Sequence, residues 1–262
     1  MRKGKKTMKL SNSRIQCFKS CRRAFELKYV EDVVPVQIAD SLARGKSYHE
    51  KVEAILKGEE FEYDDPKTDA MALAFQKHIL PKLDGIEAVE EWFEKPLPDG
   101  NSIVGRCDGR LKNGMIVEHK TTSADLDDAY IAGLQNDEQI LTYMWAYKTN
   151  QILYTVCKTP SIRQKKDESE DEFRDRCVEW YDTDTELKIG TINVYRSWEE
   201  VEEFADDLER ISEEISNCKF FYRVPSHCMK WGRPCEYMSI CRNYDPQMQY
   251  VGFERRQEYE AQ

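Results

Sequence analysis

The sequence predicts an α/β fold, a β-sheet covered by helices, and three observations predict it. Helix-like and strand-like segments alternate along most of the 262 residues. The stretch Ile152-Leu153-Tyr154-Thr155-Val156 is an unbroken apolar and β-branched run of the kind found in buried strands. Residues 105–120 read as a β-hairpin, with Ile103, Val104, Met115, Ile116 and Val117 favouring strands and Lys112-Asn113-Gly114 supplying the turn.

Taken in order, an opening helix is expected over about Ser11 to Val30. A second helix follows around His49, where Leu42, Val52, Ile55 and Leu56 recur at helical spacing, and a third runs from about Lys67 to Leu80. A strand near Val89 to Lys95 precedes the hairpin. The segment Asn136 to Tyr147 is a helix on which Gln139 and Tyr143, four apart, share a face. It leads into strand Gln151 to Lys158. Residues 159–187 are polar and charged, as in a partly helical insertion. Strand Ile189 to Tyr195 and helix Trp198 to Asn217 complete the pattern. The domain organisation expected is a basic flexible tail at 1–9, a single domain at 10–245 with a cysteine-rich end at 228–241, and a tail at 246–262.

The hairpin carries the chemistry. The two-residue period of a strand puts Glu118 and Lys120 on one face and turns His119 away. Asp108, near the end of the preceding strand, can then meet Glu118. Two carboxylates bind a hard divalent cation through oxygen, and a lysine beside them can orient an attacking water or offset charge on a phosphate. His49, close to the apolar stripe of its helix, offers a third ligand. The chemistry suggested is phosphodiester hydrolysis.

The order Gly45…His49, Gly105-Arg106-x-Asp108, Glu118-x-Lys120, Gln139-x-x-x-Tyr143 resembles the RecB-like branch of the PD-(D/E)XK nucleases, over roughly residues 9–245. The resemblance implies a restriction-endonuclease-like mixed sheet flanked by helices. It also implies a Mg²⁺ or Mn²⁺ site made by His49, Asp108, Glu118 and a backbone carbonyl near Val117. Lys120 would assist the attacking water, and Gln139 and Tyr143 fill the family's Gln-x-x-x-Tyr positions. The activity implied is exonucleolytic cleavage of DNA, acting on single-stranded ends in recombination, repair or phage DNA processing.

Nine cysteines form the second constellation. Residues 1–13 contain no apolar secretory segment, so a reducing, cytoplasmic setting in a bacterial, archaeal or phage-infected cell is expected, and there clustered cysteines favour metal chemistry over disulfides. Cys228, Cys235 and Cys241 lie in a loop-like stretch rich in turn formers, and Cys21 is the better of two early candidates, Cys17 being the other. Four such thiolates suit a [4Fe–4S] cluster or a structural Zn²⁺. The Cys21-Arg22-Arg23-Ala24-Phe25 context and the five residues between Cys235 and Cys241 resemble the iron–sulfur members of the RecB-like branch, among them CRISPR-associated adaptation exonucleases and AddB-type subunits. That implies iron, joining the amino- and carboxyl-terminal segments. The six residues between Cys228 and Cys235 depart from the two usual there.

Net charge is −10, which by itself argues against a phosphate-binding surface. Distribution matters more. Cations gather at residues 2–9, at Arg22 and Arg23, at Arg44, and at Arg106 and Arg110 beside the hairpin, while acids concentrate at 167–172 and in the late helix. The arginines are therefore candidate contacts to single-stranded DNA. No apolar run approaches membrane-spanning length. A helicase or integrase partner is compatible with the family. Two other classes are consistent with the same residues: a non-catalytic DNA-binding subunit of a recombination complex, and a structural-zinc interaction protein.

Overall fold

In the computed structural model, residues 7–37, 39–245 and 248–256 are described; residues 1–6 of the expected basic tail lie outside them. Strand β1 (Lys9–Leu10) leads into helix α1 (Asn12–Ser20), capped by Ser11, whose hydroxyl accepts from the Arg14 amide at 3.3 Å. The chain then turns at Cys21, whose extended backbone (φ −160°) ends α1 and opens helix α2 (Arg22–Tyr29). The single helix expected over 11–30 is thus two. The corner lets Phe18 meet Phe25 edge to face at 5.2 Å, a contact a straight helix would not offer to residues seven apart. Strand β2 (Val33–Pro35) follows.

Helix α3 (Asp40–Lys57) and helix α4 (Pro66–His78) bury Tyr48, Val52 and Ile55 against Met71, Ala72 and Phe75. Pro66 at the first helical position, behind an Asp65 cap, fixes where α4 begins. Strands β3 (Ile86–Pro96), β4 (Ser102–Leu111) and β5 (Ile116–Thr122) come next. The β4–β5 turn is closed by Gly114 at φ +85°, a conformation that favours glycine. Helix α5 (Asp128–Leu134) and helix α6 (Glu138–Tyr147) form the crossover to strand β6 (Gln151–Lys158), which pairs with β5 in parallel and so requires one. In the insertion, helix α7 (Glu170–Glu179) starts at a Ser169/Glu172 capping box and packs Phe173 and Cys177 on Ala70 of α4. Strand β7 (Ile189–Tyr195), helix α8 (Trp198–Asn217), helix α9 (Met238–Arg242) and strand β8 (Phe253–Arg255) complete the chain. β8, in the segment expected as a tail, pairs antiparallel with β2.

The chain divides into two compact units. One takes residues up to 39, 94–104 and 206 onward; the other takes 40–93 and 105–205. In the second unit the strands run in the order β3-β4-β5-β6-β7, with β4–β5 and β6–β7 antiparallel and β5–β6 parallel. This mixed sheet, flanked by helices, is the restriction-endonuclease-like arrangement expected. Alternation along β5 sends Lys120 to Gln139 of α6 and His119 to Phe75 of α4. In the first unit β1 lies parallel to the beginning of β4, and the side chain of Asn101, buried before that strand, donates to Ser212 and Ser216 of α8, each at 2.8 Å. Among the described residues no helix is long and apolar enough to cross a membrane.

Candidate active site

Asp108 and Glu118 face each other because β4 and β5 are in antiparallel register with Gly109 opposite Val117. Asp108 is 9% exposed, and its Oδ2 accepts from the His119 amide at 2.7 Å, a backbone donor that fixes the carboxylate. Its Oδ1 lies 3.4 Å from His49 Nδ1, so α3 delivers the imidazole expected from the sequence. Burial would raise the Asp108 pKa, but the bonds from His49 and the His119 amide outweigh it and hold the carboxylate below its usual range. The same pairing raises His49 against the opposing effect of its own burial.

Glu118 is 3% exposed. Its Oε1 is 3.0 Å from Lys120 Nζ, while its Oε2 is buried without a hydrogen-bond partner. Burial, and then the negative charge of Asp108, push its pKa up to about 8 against the pull of Lys120. Lys120 also donates to Gln139 Oε1 at 2.7 Å and lies 3.5 Å from Asp137. Burial works against its charge, yet Glu118 and Asp137 raise its pKa, so it stays a cation. Gln139 Nε2 donates to the Tyr143 hydroxyl at 2.8 Å, which donates to the Arg106 carbonyl at 3.0 Å. The helical spacing of Gln139 and Tyr143 thus links Lys120 to the strand that carries Asp108.

Two participants lie outside the set expected from the sequence. Glu90 of β3 has a ligand oxygen that lies with His49 and Asp108 such that all three ligand atoms are within 4.8 Å of one another. Its backbone is left-handed at φ +55°, a break in the strand marked by no glycine or asparagine, which aims the carboxylate at the site. Asp137 caps α6 by accepting from the Gln139 amide, accepts from the Tyr154 hydroxyl at 2.7 Å and faces Lys120. Its position before an apolar helical run is a cap signal that could have identified it.

The donor set fits a divalent cation. An imidazole and two carboxylates, His49, Glu90 and Asp108, place their ligand atoms within 4.8 Å of one another, Glu118 lies opposite Asp108, and its Oε2 is buried with no hydrogen-bond partner, which is costly unless something charged meets it. Nitrogen among the ligands suits Mn²⁺ as well as Mg²⁺. Val117 sits in register between Gly109 and Leu153, with its side chain in a buried cluster with Leu111.

Gly105 has a steric reason. A Cβ there would lie 2.5 Å from Phe93 Cζ, and Phe93 is itself held edge-on by Tyr143 at 6.0 Å and Tyr147 at 5.5 Å between ring centroids. Gly105→Ala is expected to destabilise the protein by about 1–3 kcal/mol through overpacking. Urea unfolding measures it, and an unchanged midpoint would refute the steric account.

The five candidate DNA-binding arginines all have carboxylate partners. Arg22 is paired with Glu214, Arg23 with Glu26 and Glu31, Arg44 with Asp65, Arg106 with Glu90, and Arg110 with Glu87 and Glu91. A phosphate would have to compete for each of them.

In the first unit, Cys21, Cys235 and Cys241 share one cluster with Ala24, Leu27, Val33, Tyr237 and Ile240, and the Cys235 amide donates to the Cys228 carbonyl at 2.9 Å. Cys17 packs against the same cluster. Burial raises the Cys235 and Cys241 thiols; Cys21 adds to both shifts and Cys228 to that of Cys241. The structure therefore packs Cys21, Cys235 and Cys241 together, with the backbone of Cys228 beside Cys235. Cys107, Cys157 and Cys177 are buried elsewhere.

No family model and no curated protein matches the chain. Among solved structures it is similar to SSO0001 (TM-score 0.47, 16% identity, 92% of this chain and 89% of that one). It is also similar to a phage-related exonuclease from Haemophilus somnus 129PT (0.36, 14%, 80% and 94%) and to the alkaline exonuclease LHK-Exo from Laribacter hongkongensis (0.34, 12%, 79% and 89%). At these TM-scores the functional reading rests on the side chains.

Proposed function

We propose that this protein is a divalent-metal-dependent DNA exonuclease of the PD-(D/E)XK type acting on single-stranded ends. The observation that carries the reading is the convergence of His49, Glu90 and Asp108 on one point, with Glu118 and its lysine beside it. A bound Mg²⁺ or Mn²⁺ would supply Lewis acidity toward the scissile phosphate and lower the pKa of water. His49, Asp108, Glu118 and Glu90 are the side chains that would hold it, with the carbonyl near Val117 as a further candidate. Lys120 cannot act as a base while it is charged. Its role is to hold the attacking water and the developing phosphate charge, with Gln139 and Tyr143 fixing where its ammonium sits.

Digestion of end-labelled single- and double-stranded DNA with Mg²⁺, Mn²⁺ or EDTA tests this. Stepwise shortening of single strands that stops in EDTA is the expected result. Binding without cleavage under every metal condition would instead favour a non-catalytic subunit.

For the cysteines we propose a [4Fe–4S] cluster on Cys21, Cys228, Cys235 and Cys241. The Cys21-Arg22-Arg23-Ala24-Phe25 context and the five residues between Cys235 and Cys241, as in the iron–sulfur members of the RecB-like branch, support iron over zinc. Protein purified without oxygen is expected to be brown, and Cys241→Ala to lose that absorbance. A colourless protein with one zinc per chain would overturn the iron assignment.

A further inference from the structure

Trp92 in β3 is 70% exposed, although the next residue, Phe93, is buried. An exposed indole needs no explanation on its own. Its neighbours give it one. The Arg106 guanidinium lies over the Trp92 ring, 5.5 Å from the centroid, and the same side chain is paired through Nε with Glu90. Glu90 in turn belongs to the group with His49 and Asp108. One residue separates Glu90 from Trp92, and one separates Asp108 from Arg106. The Arg106 side chain therefore spans from the Glu90 carboxylate, which belongs to the candidate metal group, to the exposed indole of Trp92. An exposed indole with a cation against it, joined through that cation to the candidate metal group, is what a nucleobase and its phosphate would meet.

We propose that Trp92 stacks a nucleobase of the substrate strand beside the metal pocket, and that Arg106 passes from Glu90 to a nucleic-acid phosphate when a divalent cation takes that carboxylate. The inference rests on the nuclease reading above. In the metal-free protein Arg106 neutralises Glu90; a cation bound to Glu90 replaces it as counter-ion. The guanidinium then has a vacancy for an anion while it remains against the indole. Metal and nucleic acid are thereby coupled through one side chain, and the stacking is indifferent to base identity because every base has a π-face.

The test uses full-length protein and a fluorescently labelled, phosphorothioate-linked single-stranded oligonucleotide, read by anisotropy with Mn²⁺ present. Trp92→Ala is expected to weaken binding about tenfold to hundredfold, and Trp92→Phe to recover most of the loss. A series of oligonucleotides with one abasic site each should contain a position that costs the wild type about tenfold and costs Trp92→Ala nothing. Identical abasic profiles, or equal affinity for wild type and Trp92→Ala, would overturn the stacking role. If wild-type cleavage nevertheless depends on metal, the nuclease reading stands. A wild type that neither binds nor cleaves overturns both. For the hand-over, calorimetric titration with Mn²⁺ alone should show Arg106→Gln binding the ion about five- to tenfold more tightly, because a competing charge is gone, while binding the oligonucleotide more weakly. Unchanged or weaker Mn²⁺ binding overturns it.

Discussion

Asp108→Asn is expected to reduce metal-dependent DNA cleavage about a thousandfold or more while leaving the thermal midpoint within a few degrees of wild type. The loss follows from the metal's several kcal/mol of charge stabilisation, each 1.36 kcal/mol being a factor of ten in rate. The choice of asparagine follows from the geometry. Asp108 Oδ2 accepts from the buried His119 amide, and alanine would strand that donor at a cost of about 1–3 kcal/mol, mixing a folding defect with a catalytic one. Asparagine keeps an acceptor and removes the charge. Lys120→Met should give a loss of similar order, since it removes the cation from between Glu118 and Gln139. Single-turnover cleavage under saturating Mn²⁺ measures both. Wild-type rates in Asp108→Asn would end the metal-site assignment.

Relative to Glu118→Gln, the metal-free protein should lose stability as pH rises from about 4.3 to about 8, and divalent cations should restore it. The group responsible is Glu118, whose pKa is about 8 in the folded chain and about 4.3 in an unfolded one. A raised carboxylate pKa means that the folded state holds the proton more tightly. The stabilising contribution is then complete below the unfolded value and is lost as pH climbs through the folded one. The amplitude is on the order of a few kcal/mol, reduced by the compensating charge of Lys120. Melting curves in EDTA at pH 5 and pH 9 should therefore diverge, and Mn²⁺ should raise the midpoint more at pH 9. Near neutral pH, Mn²⁺ binding should release a proton, detectable by calorimetry in buffers of different ionisation enthalpy. Glu118→Gln should remove the Glu118 part of the EDTA profile and abolish the release. A wild-type profile that matches that of Glu118→Gln would contradict the buried, protonated Glu118.

Much of the scaffold was legible because local preferences and burial agree. The segments Gln151–Lys158, Ile189–Tyr195 and Trp198–Asn217 are strand, strand and helix as expected, each with a run matching its period and polar or turn-forming flanks. The break at Cys21 was not legible. Ser20-Cys21-Arg22 contains neither glycine nor proline, and only the packing of Phe18 on Phe25 reveals the corner. The hairpin residues and His49 come together as their spacing suggested. Glu90 escaped because a strand reading assumes regular alternation, and its left-handed backbone violates that. The arginines show a different limit. Composition counts a cation as available, but pairs such as Arg110 with Glu87 and Glu91 depend on register between strands, which no single segment encodes.

The hydrogen bonds from Lys120 through Gln139 and Tyr143 to the Arg106 carbonyl run in one direction: ammonium to amide oxygen, amide nitrogen to phenol, phenol to peptide. An amide in that position conducts no protons, because passing one along would require it to exchange its own oxygen and nitrogen roles. That branch toward α6 therefore passes no proton. Protons gained and lost at the carboxylates need a route other than the Gln139 amide, and Asp137, which faces the same ammonium, is the titratable neighbour that offers one.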